Sequence, residues 1–288
     1  MRPMISQTRR ACISLLLILA ASPGLLLAAE KTAASLLIKD VLTSPHQPAT
    51  VEAKLIRKGL LTGTGLGGEP LELVMEGKVI AVAMTGGDGR AFFTYIPKAQ
   101  GQLPFQVRIG RSPRVAPTEG QATLAVWEKR QPILMIELSS LLEEPTPSRV
   151  PTMGIAFELE RKPIPGVADE LGKLTQFYYR IIYVATVPAG GDGAQVSAEV
   201  RDWLKTHKLP TGYVMVLPPG ANTLGTKIDE FHAGGWKTIK TGIGRSKAFA
   251  DAFLQRRLEA IIVPEPTKGD VPRKAKVAKD WKEVRRKL

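Results

Sequence analysis

The spacing of apolar residues changes once along this chain, at residues 128–132, and that change constrains the fold more than composition does. Upstream, between residues 36 and 127, Val51, Ala53 and Leu55, and then Leu71, Leu73 and Met75, recur at period two. The short apolar runs VIAVAM, AFFTYI, FQVRI and ATLAVW follow, divided by Gly67-Gly68, Gly86-Gly87-Asp88-Gly89, Gly101 and Gly110. Strands with this alternation, at ~8–12-residue spacing, predict a β-sandwich. Downstream, the strand-length runs ILMIEL, RIIYVAT, GYVMVLP, WKTIKTGI and LEAIIVP are interleaved with the helix-length stretches AQVSAEVRDWLKTH, TKIDEFHAGG and KAFADAFLQRR. That pattern predicts βαβ units and a parallel sheet. Residues 143–166 hold Pro145, Pro147, Pro151, Pro163 and Pro165 and are expected to form a long irregular insertion after the first strand. Insertions at strand C-terminal ends sit over the ligand crevice of such sheets.

The first 29 residues form an address. Arg2, Arg9 and Arg10 precede an apolar run at 13–21, Ser22-Pro23-Gly24 breaks it, and small residues close the segment before Glu30. This is the layout of a secretory signal peptide, with cleavage expected after Ala28 or Ala29 and a periplasmic or secreted product. Cys12 is the single cysteine, so the mature chain has no disulfide, no thiolate nucleophile and no Cys metal site. Losing three arginines lowers the net charge from +13 to +10. Most of that excess lies in a basic tail at 267–288, so the body between is only mildly basic. In the tail, Val277, Trp281, Val284 and Leu288 share one helical face, surrounded by Lys and Arg. A basic amphipathic helix docks on anionic surfaces, so the expected partner is an anionic envelope surface, beside an unknown protein partner, with no nucleic acid. With 44% hydrophobic residues, a sizeable core is available, and global disorder is excluded.

Familiar motifs are absent or lack context. Gly63-Thr-Gly65-Leu-Gly-Gly68 matches the dinucleotide fingerprint as a string, but LELVM, a strand, follows it where a helix is required; an interstrand loop, expected to be flexible, is the better reading. His46, His207 and His232 have no metal-ligand spacing and are expected in surface roles. Neither a nucleophile elbow nor a P-loop is present.

Two resemblances go further. The run 69–109, with a Thr85–Gly89 turn before an aromatic strand, resembles bacterial immunoglobulin-like modules. Residues 131–266, on the strength of Pro163-Ile-Pro-Gly166-Val-Ala-Asp-Glu-Leu171, then RIIYVAT and KLPTGYVMVLPPG, resemble haloacid dehalogenase-like phosphatases of the secreted or lipin-related branch, which includes phosphatidate phosphatases. The fold so implied is an all-β immunoglobulin-like sandwich over 30–130 followed by a Rossmann-like α/β domain over 131–266. The family ends its first strand in two Asp separated by one residue, a nucleophile and an acid/base. Here those positions are Glu137 and Ser139. The family's phosphoryl-holding Ser or Thr corresponds to Thr186 and its charge-balancing Lys to Lys227. Its Mg²⁺-holding acidic pair has no counterpart between Trp236 and Lys247, where Gly242-Ile-Gly244-Arg245-Ser246 stands.

The resemblance therefore implies a degraded catalytic set with ligand-binding positions at Thr186, Lys227 and Arg245, no metal and no cofactor. The function expected is an exported, non-catalytic binding or interaction protein with a pseudophosphatase-like domain. The alternative is a divergent Mg²⁺-dependent phosphatase acting on phosphatidate or another phosphomonoester, with acids supplied by Asp192 or by Glu143 and Glu144. A third reading leaves the α/β domain structural.

Overall fold

A computed structural model describes residues 31–59, 63–144, 161–188, 191–220, 222–266 and 271–288. The expected leader and its cleavage site lie outside these residues, as does the middle of the proline-rich insertion. Lys31–Leu288 cluster as one compact unit.

Its first half is a two-sheet sandwich. One sheet holds β1 (Ala34–Ile38), β3 (Ala49–Arg57) and β6 (Arg90–Tyr95) in the order β1-β3-β6. The other holds β2 (Val41–Thr43), β4 (Pro70–Met75), β5 (Lys78–Met84), β7 (Gly101–Ile109) and β8 (Glu119–Val126) in the order β2-β8-β7-β4-β5. Every pairing is antiparallel except β2 with β8. The period-two residues meet between the sheets: Val51, Ala53 and Leu55 from one, Leu71, Leu73, Phe105, Val107 and Leu124 from the other. Alternation along a pleated strand requires this, since successive side chains face opposite sides.

The Gly63–Gly68 string is explained by packing. A Cβ at Gly65 would overlap the Asp88 carbonyl, and one at Gly67 the Gly86 carbonyl. Gly89, at φ 79°, sits against the same loop and donates its amide to Gly86 O at 2.9 Å. Two interstrand loops thus lie backbone against backbone, and Gly65 is bridged to Ile56. The loop is held, not the flexible spacer expected, and no helix follows it to receive a pyrophosphate.

The second half is a six-stranded, wholly parallel sheet. Its strands are β9 (Ile133–Glu137), β10 (Arg180–Thr186), β11 (Tyr213–Leu217), β12 (Ile239–Gly244), β13 (Glu259–Ile262) and β14 (Lys276–Val277), in the order β11-β10-β9-β12-β13-β14. Helices α1 (Val167–Phe177), α2 (Gly193–Thr206), α3 (Thr223–Ala233), α4 (Lys247–Leu254) and α5 (Trp281–Lys287) complete it. Leu134, Ile136 and Tyr183 face α1, α2 and α5. Ile133, Met135 and Ile182 face α3 and α4. Burial on both faces is why these strands are continuous apolar runs. Among the described residues no helix is long and apolar enough to cross a membrane.

Two features join the halves and the tail. Asp40, between β1 and β2, accepts from Arg201 Nη1 of α2 at 2.7 Å, Thr123 N at 2.9 Å and Val214 N at 3.2 Å. Trp127, just after β8, is buried in the core beneath α3 and α4. The basic tail is not an appendage. It adds β14 to the sheet edge and docks α5, with Trp281 and Val284 buried. The apolar face expected to meet an anionic surface is covered by the protein's own core, so only the basic side chains, such as the exposed Lys282 and Arg286, are left to meet one.

Glu170 of α1 clamps that helix, accepting from Lys173 Nζ at 2.7 Å and Arg285 Nε at 2.8 Å. Those hydrogen bonds hold its carboxyl below the ordinary Glu value of 4.5. A carboxyl depressed in the fold stabilises it above the unfolded value, and the contribution is lost as pH falls through the lowered one. Amide exchange in α5 is therefore expected to rise as the medium is acidified below that ordinary value, and Glu170→Gln should remove the dependence. An unchanged pH profile in Glu170→Gln would refute the clamp.

Candidate functional site

The chain winds from β9 outward to β10 and β11 on one side, then returns to β12 beside β9 and winds to the other. The crevice at such a switch point, outside the strand C-termini, is where ligands bind in open α/β sheets. Glu137 ends β9 and Gly244 ends β12, so both stand at this point.

The crevice floor is closed by Glu137 itself. Its Oε2 accepts from Arg245 N at 2.7 Å and Ser246 N at 2.9 Å, and its Oε1 accepts from Ser246 Oγ at 2.7 Å. Ser246 is also the N-cap of α4, accepting from Phe249 N at 3.2 Å. A carboxylate here satisfies orphan amides and meets the positive end of the helix dipole. The sequence Gly242-Ile-Gly244 makes room for it. A Cβ on Gly244 would fall 2.7 Å from Glu137 Oε2 and closer still to the Phe249 ring, while one on Gly242 would strike the Phe253 ring. The glycines standing where the resembled family places acids therefore serve close packing of α4 on β12.

Above this floor opens a cavity of about 340 Å³. Val184, Leu217, Leu224 and Phe249 supply apolar wall, and Thr186, Asn222, Thr223, Ser246, Asp251 and Gln255 supply polar groups. Thr223 Oγ1 donates to Gly220 O at 3.2 Å. Two of the positions singled out from sequence, Glu137 and Thr186, line this cavity together.

The other positions go elsewhere. Lys227 points along α3 into an ion pair with Glu230. The guanidinium of Arg245 donates to Leu142 O at 2.5 Å and does not line the cavity, while its backbone amide donates to Glu137. Ser139 lies in the 3-10 turn Leu138–Leu141, its hydroxyl buried without a hydrogen bond among the described residues. Asp192 caps α2, accepting from Ala194 N at 2.8 Å, and pairs with Lys54 of the sandwich at 3.3 Å. Glu143 and Glu144 are exposed beyond the 3-10 turn. None of these lines the cavity, so the phosphoryl-binding trio Thr186, Lys227 and Arg245 is not brought together.

The residues at the phosphatase positions do not fit Mg²⁺, which requires several carboxylate or other oxygen ligands. Glu137 is engaged by three donors, the Ser139 hydroxyl is buried, and at 245–246 the amides are spent on Glu137, so that Ser246 Oγ, itself bonded to Glu137 and Phe249 N, is the one side-chain oxygen there and carries no charge. Among the described residues no group of three or more His, Cys, Asp or Glu side chains converges to hold a metal. Of the histidines, His207 caps the end of α2 against Trp203, His232 contacts Ile239 O at 2.9 Å, and His46 occupies a turn at φ 62°.

Asn222, Asp251 and Gln255 were not singled out from the sequence. The available signal was weak: Asp251 and Gln255 are four apart, so they share a helical face, but so do many solvent-facing pairs.

No protein-family model matches the chain, and no curated protein matches it. Among solved structures it is similar to D,D-heptose 1,7-bisphosphate phosphatase from Burkholderia thailandensis, at 12% identity and a TM-score of 0.38 over 54% of this chain and 96% of that one. It is similar to the titin domains z1z2 in complex with telethonin, at 17% identity and a TM-score of 0.25 over 38% of this chain and 58% of that one. Its likeness to a cycloisomaltooligosaccharide glucanotransferase from Paenibacillus sp. has 9% identity and a TM-score of 0.27 over 81% of this chain and 45% of that one. Likenesses of this size carry no argument about activity, and the chemistry rests on the residues of the crevice.

Proposed function

We propose that this chain is an exported, non-hydrolysing binding protein, with an immunoglobulin-like sandwich fused to an α/β unit of haloacid dehalogenase-like design. The sandwich reading is supported by the strand order and by the parallel pairing of β2 with β8. Export is supported by the basic, apolar and small-residue layout of the first 29 residues.

The observation that carries the non-hydrolysing reading is the engagement of Glu137. In-line attack on phosphorus requires a carboxylate oxygen positioned to within a fraction of an ångström. Glu137 holds three donors of the α4 N-terminus, and reaching a phosphoryl group would break those bonds. Ser139 cannot exchange protons near neutral pH in the acid/base position. The metal charge that phosphoryl transfer depends on has no ligand set here.

The expected result is no turnover of phosphatidate or simple phosphomonoesters above background, with Mg²⁺ or Mn²⁺ present. Glu137→Ala should instead lower stability by about 1–3 kcal/mol, because donors are left without an acceptor. Metal-dependent turnover by the wild type, abolished in Glu137→Ala, would overturn the proposal in favour of the divergent phosphatase.

A further inference from the structure

Resting on the non-hydrolysing reading, we infer that the cavity above Glu137 binds a hydroxyl-rich amine of monosaccharide size, and that it rejects phosphorylated ligands. Charge sets the first limit on the ligand. Two carboxylates, Glu137 and Asp251, line the cavity, and no Lys or Arg does among the described residues. The two cations that a phosphate would need, Lys227 and Arg245, are directed to Glu230 and Leu142. The charge of Glu137 is compensated by the α4 N-terminus. Asp251 makes no side-chain hydrogen bond or ion pair among the described residues, so its charge is left to attract a cation.

Hydrogen bonding narrows the class. Thr186, Asn222 and Gln255 also line the cavity, and their side chains make no hydrogen bond among the described residues. One hydroxyl and two carboxamides present donors and acceptors together, which suits ligand hydroxyl groups that both give and accept. Val184, Leu217, Leu224 and Phe249 offer an apolar wall to the C–H face of such a ligand. A volume of about 340 Å³ is at the small end of small-molecule sites. The roles follow: Asp251 pairs with the ammonium, while Thr186, Asn222 and Gln255 hold the hydroxyls.

Isothermal titration of the mature chain with D-glucosamine, D-glucose, D-glucose 6-phosphate and ethylamine tests this. Saturable glucosamine binding is expected, glucose at least tenfold weaker, and no binding of glucose 6-phosphate. Asp251→Asn should remove the tenfold advantage of glucosamine while leaving glucose unchanged. Asp251 is half-buried and its side chain has no bonded partner among the described residues, so this variant should melt like the wild type. Thr186→Val should weaken both sugars. The inference is overturned if glucose 6-phosphate binds most tightly, if ethylamine matches glucosamine, if Asp251→Asn is without effect, or if none of the four binds. Phosphomonoester turnover would instead strike the non-hydrolysing reading, so the two failures are distinguishable.

Discussion

Trp281→Ala is expected to destabilise the chain by about 3–5 kcal/mol, the range for emptying a buried Trp site. Trp281 is 2% exposed, and its indole Nε1 donates to Ser140 O at 3.2 Å. Helix α5 has seven residues, too few to persist in water without tertiary support. Its start is fixed by Asp280, which accepts from Glu283 N at 2.8 Å, while Glu283 reaches back to Lys279 N at 2.7 Å. Val284 and Ala278 are fully buried beside it. Losing the indole therefore leaves a cavity and also frees the helix and β14. Thermal melting should fall by roughly 2–4 °C for each kcal/mol lost in a chain of this size. Deleting residues 271–288 should be worse still, because the edge of the sheet is removed. A melting temperature unchanged in Trp281→Ala would refute the docking. If anionic vesicles bind the protein at all, Trp281→Ala should not weaken that binding through loss of an apolar anchor, since this face is already covered.

Asp40→Ala is expected to cost a similar amount, about 3–5 kcal/mol, as does breaking a buried ion pair from one side. The Asp40 side chain is fully inaccessible and Arg201 largely so. Burial pushes the Asp40 carboxyl up, and Arg201 with the amides of Thr123 and Val214 pulls it back. Arg201 also donates to Gln121 O at 2.7 Å and Ser197 Oγ at 2.9 Å, so one guanidinium spans β8 and α2. Removing the carboxylate leaves two amides without this acceptor and takes the charge partner from a largely buried guanidinium, which keeps only neutral acceptors among the described residues. The double variant Asp40→Ala with Arg201→Ala should be less unstable than the two losses added, as expected for groups in contact. Because the node ties the sandwich to the α/β layers, calorimetry of the wild type should show one transition, and Asp40→Ala should separate or broaden it. Strict additivity in the cycle would sink the claim that the pair acts as a unit.

The sequence alone determined the parts whose causes are local. Period-two alternation located strands such as Ala49–Arg57, and the apolar run RIIYVAT coincides with β10, because burial on one face or on both leaves a direct mark on residue order. Helix α4 was legible in the period of KAFADAFL. Even the shared face of Trp281 and Val284 was legible. What covers that face was not, since a lipid surface and a protein core ask for the same apolar side chains. The site was decided by tertiary structure for the same kind of reason. Glu137 and Ser246 are 109 residues apart, and only the adjacency of β9 and β12 makes a carboxylate at one serve as the cap of a helix at the other. Lys227 and Arg245 carry the charge a phosphate site needs, but long side chains go where acceptors stand, and theirs are Glu230 and Leu142. Residue type is written in the sequence; the direction of a side chain, and the partner that engages it, come from contacts that sequence order does not encode.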